Sequence, residues 1–197
     1  MRFTTTLLFA LFTTVISAAP ITITYSSTAS GTLAGNPFTD AAFTITALAD
    51  TANRQTLAPG VFFYVNDSAQ IAIAGVGTFG FTSPTASFVN SNVNLAGFSR
   101  SNGSNLGSDL VGASDSGLQT YDLLSSFGPT TFSFITIQQW AASPAVTTSG
   151  GTLLLNDASG VGTYQAVVNS AGVPEPGTSL LMLSGLGALG FLRLRRP

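Results

Sequence analysis

"ITITYS", residues 21–26, and "AFTITALA", residues 42–49, share one alternation. Ile21, Ile23 and Tyr25 fall on one side with Thr22 and Thr24 opposite, and Phe43, Ile45 and Ala47 repeat the arrangement against Thr44 and Thr46. A period of two puts successive side chains on opposite faces of an extended chain, so each stretch predicts a strand with one apolar and one hydroxyl-bearing face. "QIAIAGVGTFGF", residues 70–81, continues the pattern with Ile71, Ile73, Phe79 and Phe81 on one side. "VFFYV" (61–65) and "TFSFITI" (131–137) are apolar on both sides, as expected of central strands in packed sheets. "GTLLLN" (151–156) and "GTYQAVV" (162–168) add two more strands.

Turn signals separate these runs at Gly31, Gly35-Asn36-Pro37, Pro59-Gly60, Asn66-Asp67, Ser83-Pro84, Gly150-Gly151 and Asn156-Asp157. Seven or more short strands so punctuated predict an all-β fold, an antiparallel β-sandwich of jelly-roll-like or Ig-like type. Residues 90–117 are rich in Asn, Ser and Gly and read as long loops with at most short strands. "LQTYDLLSSF", residues 118–127, fits a short helix.

The 197 residues are 45% hydrophobic, enough for a core, yet only 7% charged against about a quarter in an ordinary globular chain. Low charge with high apolar content is the opposite of a disordered composition. Cysteine and histidine are absent, and so is lysine. Disulfides, zinc–thiolate sites and histidine-activated nucleophiles are thereby excluded. Away from the two ends Arg54 and Arg100 are the only cations, against seven aspartates and Glu175, a net of −6. That balance repels a phosphate backbone, so nucleic acid is not an expected partner.

The ends are different in character. "MRFTTTLLFALFTTVISAAP", residues 1–20, has the basic, apolar and small-residue order of a signal peptide. Cleavage is expected after Ala18, because a cut after Ala19 would put Pro20 next to the scissile bond. The chain closes with "VPEPGTSLLMLSGLGALGFLRLRRP", residues 173–197, which holds Arg193, Arg195 and Arg196, half of the six basic residues. The apolar run from Thr178 to Leu192 is short for a bilayer, which needs about 20 residues. Adding Gly177 and Leu194, and letting the arginines snorkel, brings one transmembrane helix within reach. Arginines beyond a membrane segment favour the cytoplasmic side, which leaves Glu175 outside. Two prolines around that carboxylate hold an extended backbone that cannot join the helix. The expected organisation is a signal peptide at 1–18, a β-sandwich at 19–168, a linker with the Pro-Glu-Pro motif at 169–177, and a transmembrane helix with basic tail at 178–197.

Val173-Pro174-Glu175-Pro176, the apolar segment and the terminal arginines together resemble the PEP-CTERM sorting signal of bacterial surface proteins. Gly177 stands where that signal often has serine. The resemblance covers about 25 residues. It implies processing by the membrane protease exosortase, which joins the signal peptidase implied by residues 1–20 as a processing partner. It also implies a precursor in the inner membrane of a Gram-negative bacterium and a product in the envelope, at the cell surface or outside the cell. Extracellular polysaccharide is the further partner that such cargo suggests.

Elsewhere the chemistry is sparse. "GVGTFG", residues 75–80, matches the dinucleotide-binding pattern, but Phe81, Thr82, Ser83 and Pro84 follow it instead of the helix that the pattern requires. Asp67, Asp109, Asp115, Asp122 and Asp157 are the carboxylates from which a hydrolytic pair would be drawn, and each sits among turn-forming residues. Asp109, Asp115 and Asp157 also offer loop oxygens of the kind calcium takes. Trp140, with Tyr121 or Tyr164, is the candidate platform for stacking on a sugar. The expectation is an exported surface or matrix protein without catalytic residues, metal or cofactor. A carbohydrate-binding module is the alternative, and a carboxylate-dependent hydrolase comes third.

Overall fold

The computed structural model describes residues 19–132, 135–137, 139–158 and 161–169, with backbone alone at 135–137 and 157–158. The expected signal peptide and transmembrane helix lie outside these residues, as do Ala18, Val173, Pro174, Glu175, Pro176, Arg193, Arg195 and Arg196. Among the described residues no helix is long and apolar enough to cross a membrane.

The fold is all-β. The alternating stretches form β1 (Pro20–Leu33) and β2 (Asn36–Asp50), followed by β3 (Gln55–Ala58), β4 (Val61–Val65), β5 (Ser68–Ile73), β6 (Gly77–Gly80) and β7 (Thr85–Asn90). Then come β8 (Leu95–Ser101), β9 (Leu106–Ser114), β10 (Phe127–Phe132), β11 (Ile135–Ile137), β12 (Thr147–Thr148), β13 (Gly151–Ala158) and β14 (Gly162–Val168). One antiparallel sheet has the order β10-β14-β1-β2-β5-β6, with β13 also on β1 and β12 on β13; the other runs β11-β9-β8-β7-β4-β3. Side chains of both sheets meet in one apolar cluster that includes Ile21, Ile23, Ile45 and Ile71 from the first and Tyr64, Val89, Phe98 and Val111 from the second. Each such side chain, fully buried, contributes about 1.5–3 kcal/mol.

β1 and β2 meet at Ala34 and Gly35, both at positive φ (49° and 82°), with Leu33 opposite Asn36. Two left-handed residues make the tight hairpin turn whose twist matches its strands. Gly31, expected in a turn, instead lies inside β1. Ser30 pairs with Asp157 and Gly31 with Leu155, so Asn156 is the extra residue of a bulge. A Cβ on Gly31 would fall on the Leu154 carbonyl oxygen. Gly31 and Asn156-Asp157 are thus two halves of one bulge, because glycine lets the bulged strand approach.

The loops expected over 90–117 are largely strand. β8 is buried from Ala96 to Arg100, and the Asn-Gly-rich segment between β8 and β9 is only a hairpin turn, where Asn102 Oδ1 accepts from the Ser104 and Asn105 amides. Alternation is weak here because both faces of β8 are covered. Phe98 points into the core, while Gly97 faces the Phe88 ring, where a Cβ would clash. In place of a helix at 118–127 there is one short 3₁₀ turn, Ser116–Thr120, capped by the Asp115 carboxylate accepting from the Gly117 amide at 2.7 Å.

Candidate functional site

The threonines that alternate with core residues in β1 and β2 end up side by side. With Ile21, Ile23 and Tyr25 inside, Thr22, Thr24 and Ser26 point out, and registration aligns them with outward residues of the neighbouring strands. One rank across the sheet reads Thr163, Ser26, Thr44, Ala72, Thr78; the next reads Gln165, Thr24, Thr46, Gln70, Gly80. Neighbouring strands stand about 4.8 Å apart and outward residues on one strand about 6.7 Å apart. Ser26 and Thr44 share a hydrogen bond of 3.0 Å. No side chain in either rank is charged. Two shallow depressions open on this face, one of about 590 Å³ at Thr44 and the β5–β6 turn, the other of about 290 Å³ between Thr46, Leu48, Ser68 and Gln70. The alternation in the sequence shows which residues leave the core; only strand pairing shows that they form one array.

The aromatic platform of the carbohydrate-binding alternative, Trp140, Tyr121 or Tyr164, is not presented. The three rings are 3%, 5% and 0% exposed. Trp140 Nε1 donates to the Leu110 carbonyl at 2.7 Å, and Tyr164 stacks obliquely on Tyr25, Phe127 and Phe132 inside the core. Burial of so large an apolar surface outweighs what a sugar contact at the surface would return.

The aspartates serve turns and strands. Asp115 caps the 3₁₀ turn, and Asp50 caps another by accepting from the Ala52 amide at 2.8 Å. Asp122 binds Arg54 at 3.0 Å, and Arg54 also lies 4.6 Å over the Phe62 ring. Asp109 lies on β9, where burial raises its carboxyl pKa above the ordinary value. The Asp67 amide donates to the Leu48 carbonyl at 2.8 Å. The Asp157 side chain is outside the described set. Among the described residues no three acidic side chains converge. "GVGTFG" is the β5–β6 hairpin, with Gly75 and Gly77 at φ 75° and 143°, and a strand follows it rather than a helix.

Arg100, singled out by sequence only as a rare cation, is 6% exposed. It uses all five of its N–H donors on neutral groups: the carbonyls of Pro144, Gln139, Trp140 and Ala142, and the Ser108 hydroxyl, at 2.7–3.1 Å. Desolvation lowers its pKa from the usual value.

Both ends of the described chain leave from one end of the larger sheet. Ile21 pairs with Val168, the Asn169 amide donates to the Pro20 carbonyl at 2.8 Å, and Ala19 exchanges hydrogen bonds with Thr51. The segment that follows Asn169 matches a known family model: residues 172–196 fit the PEP-CTERM protein-sorting motif. The chain carries a PEP-CTERM sorting signal. A PEP-CTERM signal marks an exported, sorted protein and implies processing by exosortase in the membrane. No curated protein and no solved structure matches the chain.

Proposed function

We propose that this PEP-CTERM protein is a non-catalytic component of the cell surface or extracellular matrix, held there by contact between its threonine face and polysaccharide. In this reading signal peptidase cuts after Ala18, and residues 178–192 span the inner membrane of a Gram-negative bacterium. Arg193, Arg195 and Arg196 stay on the cytoplasmic side. Exosortase reads Val173-Pro174-Glu175-Pro176, and the β domain passes to the envelope, the surface or the medium.

The observation that carries the reading is the uncharged array of Thr24, Thr46, Gln70, Thr163 and Gln165 on the larger sheet. Hydroxyls and amides offer both donors and acceptors and lose little on desolvation compared with charges, which suits a neutral polyhydroxylated surface. The absence of histidine, lysine and cysteine from the sequence supports the non-catalytic part. A binding module built on Trp140, Tyr121 and Tyr164 is disfavoured by their burial.

The test uses processed protein recovered from envelope or medium and co-sedimented with polysaccharide isolated from the same cells. Replacing Thr24 and Thr46 together by Glu puts two charges at the centre of the array and is expected to weaken binding about tenfold or more, equivalent to about 1.4 kcal/mol. Equal binding by the folded variant and the parent would sink the matrix-contact reading.

A further inference from the structure

Both cations of the domain are already engaged. Between the two ends the sequence holds only Arg54 and Arg100. Arg54 Nη1 donates to the Asp122 carboxylate at 3.0 Å and to the Asp122 carbonyl at 3.1 Å, with its guanidinium over the Phe62 ring. Arg100 is buried, and neutral groups take all five of its donors. Neither belongs to the larger sheet, since Arg100 lies on β8 and Arg54 stands just before β3. The strands of the larger sheet carry Asp40, Asp50 and Asp157 and no cation. Recognition of a carboxylate, sulfate or phosphate draws on arginine or lysine. The threonine face has neither, and the aspartates of its sheet set a potential that repels anions. A neutral glycan meets no such repulsion, because hydroxyls and amides exchange donors and acceptors with it at little desolvation cost.

The face also suits a long partner better than a single sugar. Neither rank contains an aromatic ring, the side chain that gives one contact most of its energy. The rank Gln165, Thr24, Thr46, Gln70 instead crosses four adjacent strands, a run of about 14 Å. Contacts that are weak singly add up along one polymer, because each contact after the first is intramolecular.

We infer that the threonine face binds uncharged, extended polysaccharide and discriminates against polymers that bear uronate, sulfate or phosphate. The inference rests on the matrix-contact reading above and names the chemical class of its partner.

The experiment divides polysaccharide from the same cells on an anion exchanger into an unretained neutral fraction and a retained anionic one. Each is co-sedimented with processed protein in EDTA at about 20 mM and about 500 mM NaCl. The neutral fraction is expected to bind with less than about a twofold change between the two salts, and the anionic fraction at least about tenfold more weakly at low salt. Disaccharide and trisaccharide fragments of the neutral fraction are expected to compete at least about a hundredfold more weakly than the polymer by weight. Gln70→Arg supplies the cation that the face lacks. It is expected to gain binding to the anionic fraction at low salt and to lose that gain at high salt. Parent protein that binds the anionic fraction as well as the neutral one, or better, overturns the inference and leaves matrix contact standing. Fragments that compete as well as the polymer overturn it too, as does a folded Gln70→Arg variant that gains nothing. Binding to neither fraction sinks the matrix-contact reading itself.

Discussion

Arg100 Nη2 donates to the carbonyl of Trp140 at 3.1 Å, while the Trp140 indole donates to the carbonyl of Leu110 at 2.7 Å. Arg100 holds Trp140, and Trp140 in turn holds β9. The guanidinium gathers the backbone of residues 139–144, and the indole anchors that segment to β9. An ammonium has three donors where the guanidinium has five, so Arg100→Lys leaves buried acceptors unpaired. Both Arg100→Lys and Arg100→Met are expected to lose about 2–4 kcal/mol. Urea unfolding measures the loss, and a red-shifted Trp140 emission in the folded variant would report the loosened segment. Unchanged unfolding midpoints would contradict this account of Arg100.

Tyr25 Oη donates to the Gly97 carbonyl at 2.6 Å, joining β1 to β8 across the core. Tyr25→Phe keeps the ring and removes the bond, with an expected cost of about 1–2 kcal/mol by chemical denaturation. Tyr64→Phe, which loses a bond to the Leu123 carbonyl, should cost a similar amount.

All four tyrosines have phenol pKa values raised by burial. An acid whose folded pKa is raised releases its proton first from the unfolded chain, so stability falls as pH rises beyond about 10. Phenolate absorbance should therefore stay silent near pH 10–11 and then appear together with loss of the β circular dichroism signal. Phenolate formation in a still-folded protein would count against the buried placement.

Asp109 carries the same sign at the acid end. Its carboxyl is raised by desolvation, so the native state holds the proton more tightly than the unfolded chain. Stability is lost as pH rises from the unfolded value near 3.8 through the raised folded one. Asp109→Asn is expected to raise the melting temperature at pH 7 and to make no difference below pH 3.8. A lower melting temperature at pH 7 would show that the carboxylate has a stabilising partner.

Gly31→Ala places a methyl group on the Leu154 carbonyl at the β1–β13 bulge. Backbone must shift to admit it, at an expected cost of about 1–3 kcal/mol. Gly35→Ala meets no atom and is opposed only by its positive φ, so it should cost less, about 1 kcal/mol. Thermal unfolding of the pair separates collision from backbone strain, and equal losses would argue against the close approach at Gly31.

The sequence by itself determined which residues of β1, β2 and β5 face the core, because a period of two in Ile21, Ile23, Tyr25 and in Phe43, Ile45, Ala47 admits one buried face. It also determined the sorting signal, since that motif is read as a local, linear pattern near the chain terminus. What it concealed depended on partners far along the chain. Gly31 and Asn156 look like separate turns until registration makes them one bulge. β8 reads as loop because a strand covered on both faces needs small residues where a ring lies overhead, as Gly97 does beneath Phe88. Sequence leaves Trp140 between a ring of the core or its edge and a sugar platform, and Arg100, 40 positions earlier, draws its backbone inward. The threonine array likewise exists only once β14, β1, β2 and β5 are aligned. Hydrophobic periodicity fixes a strand's faces from within, but neighbours and register come from contacts between distant segments, and tertiary structure alone decides those.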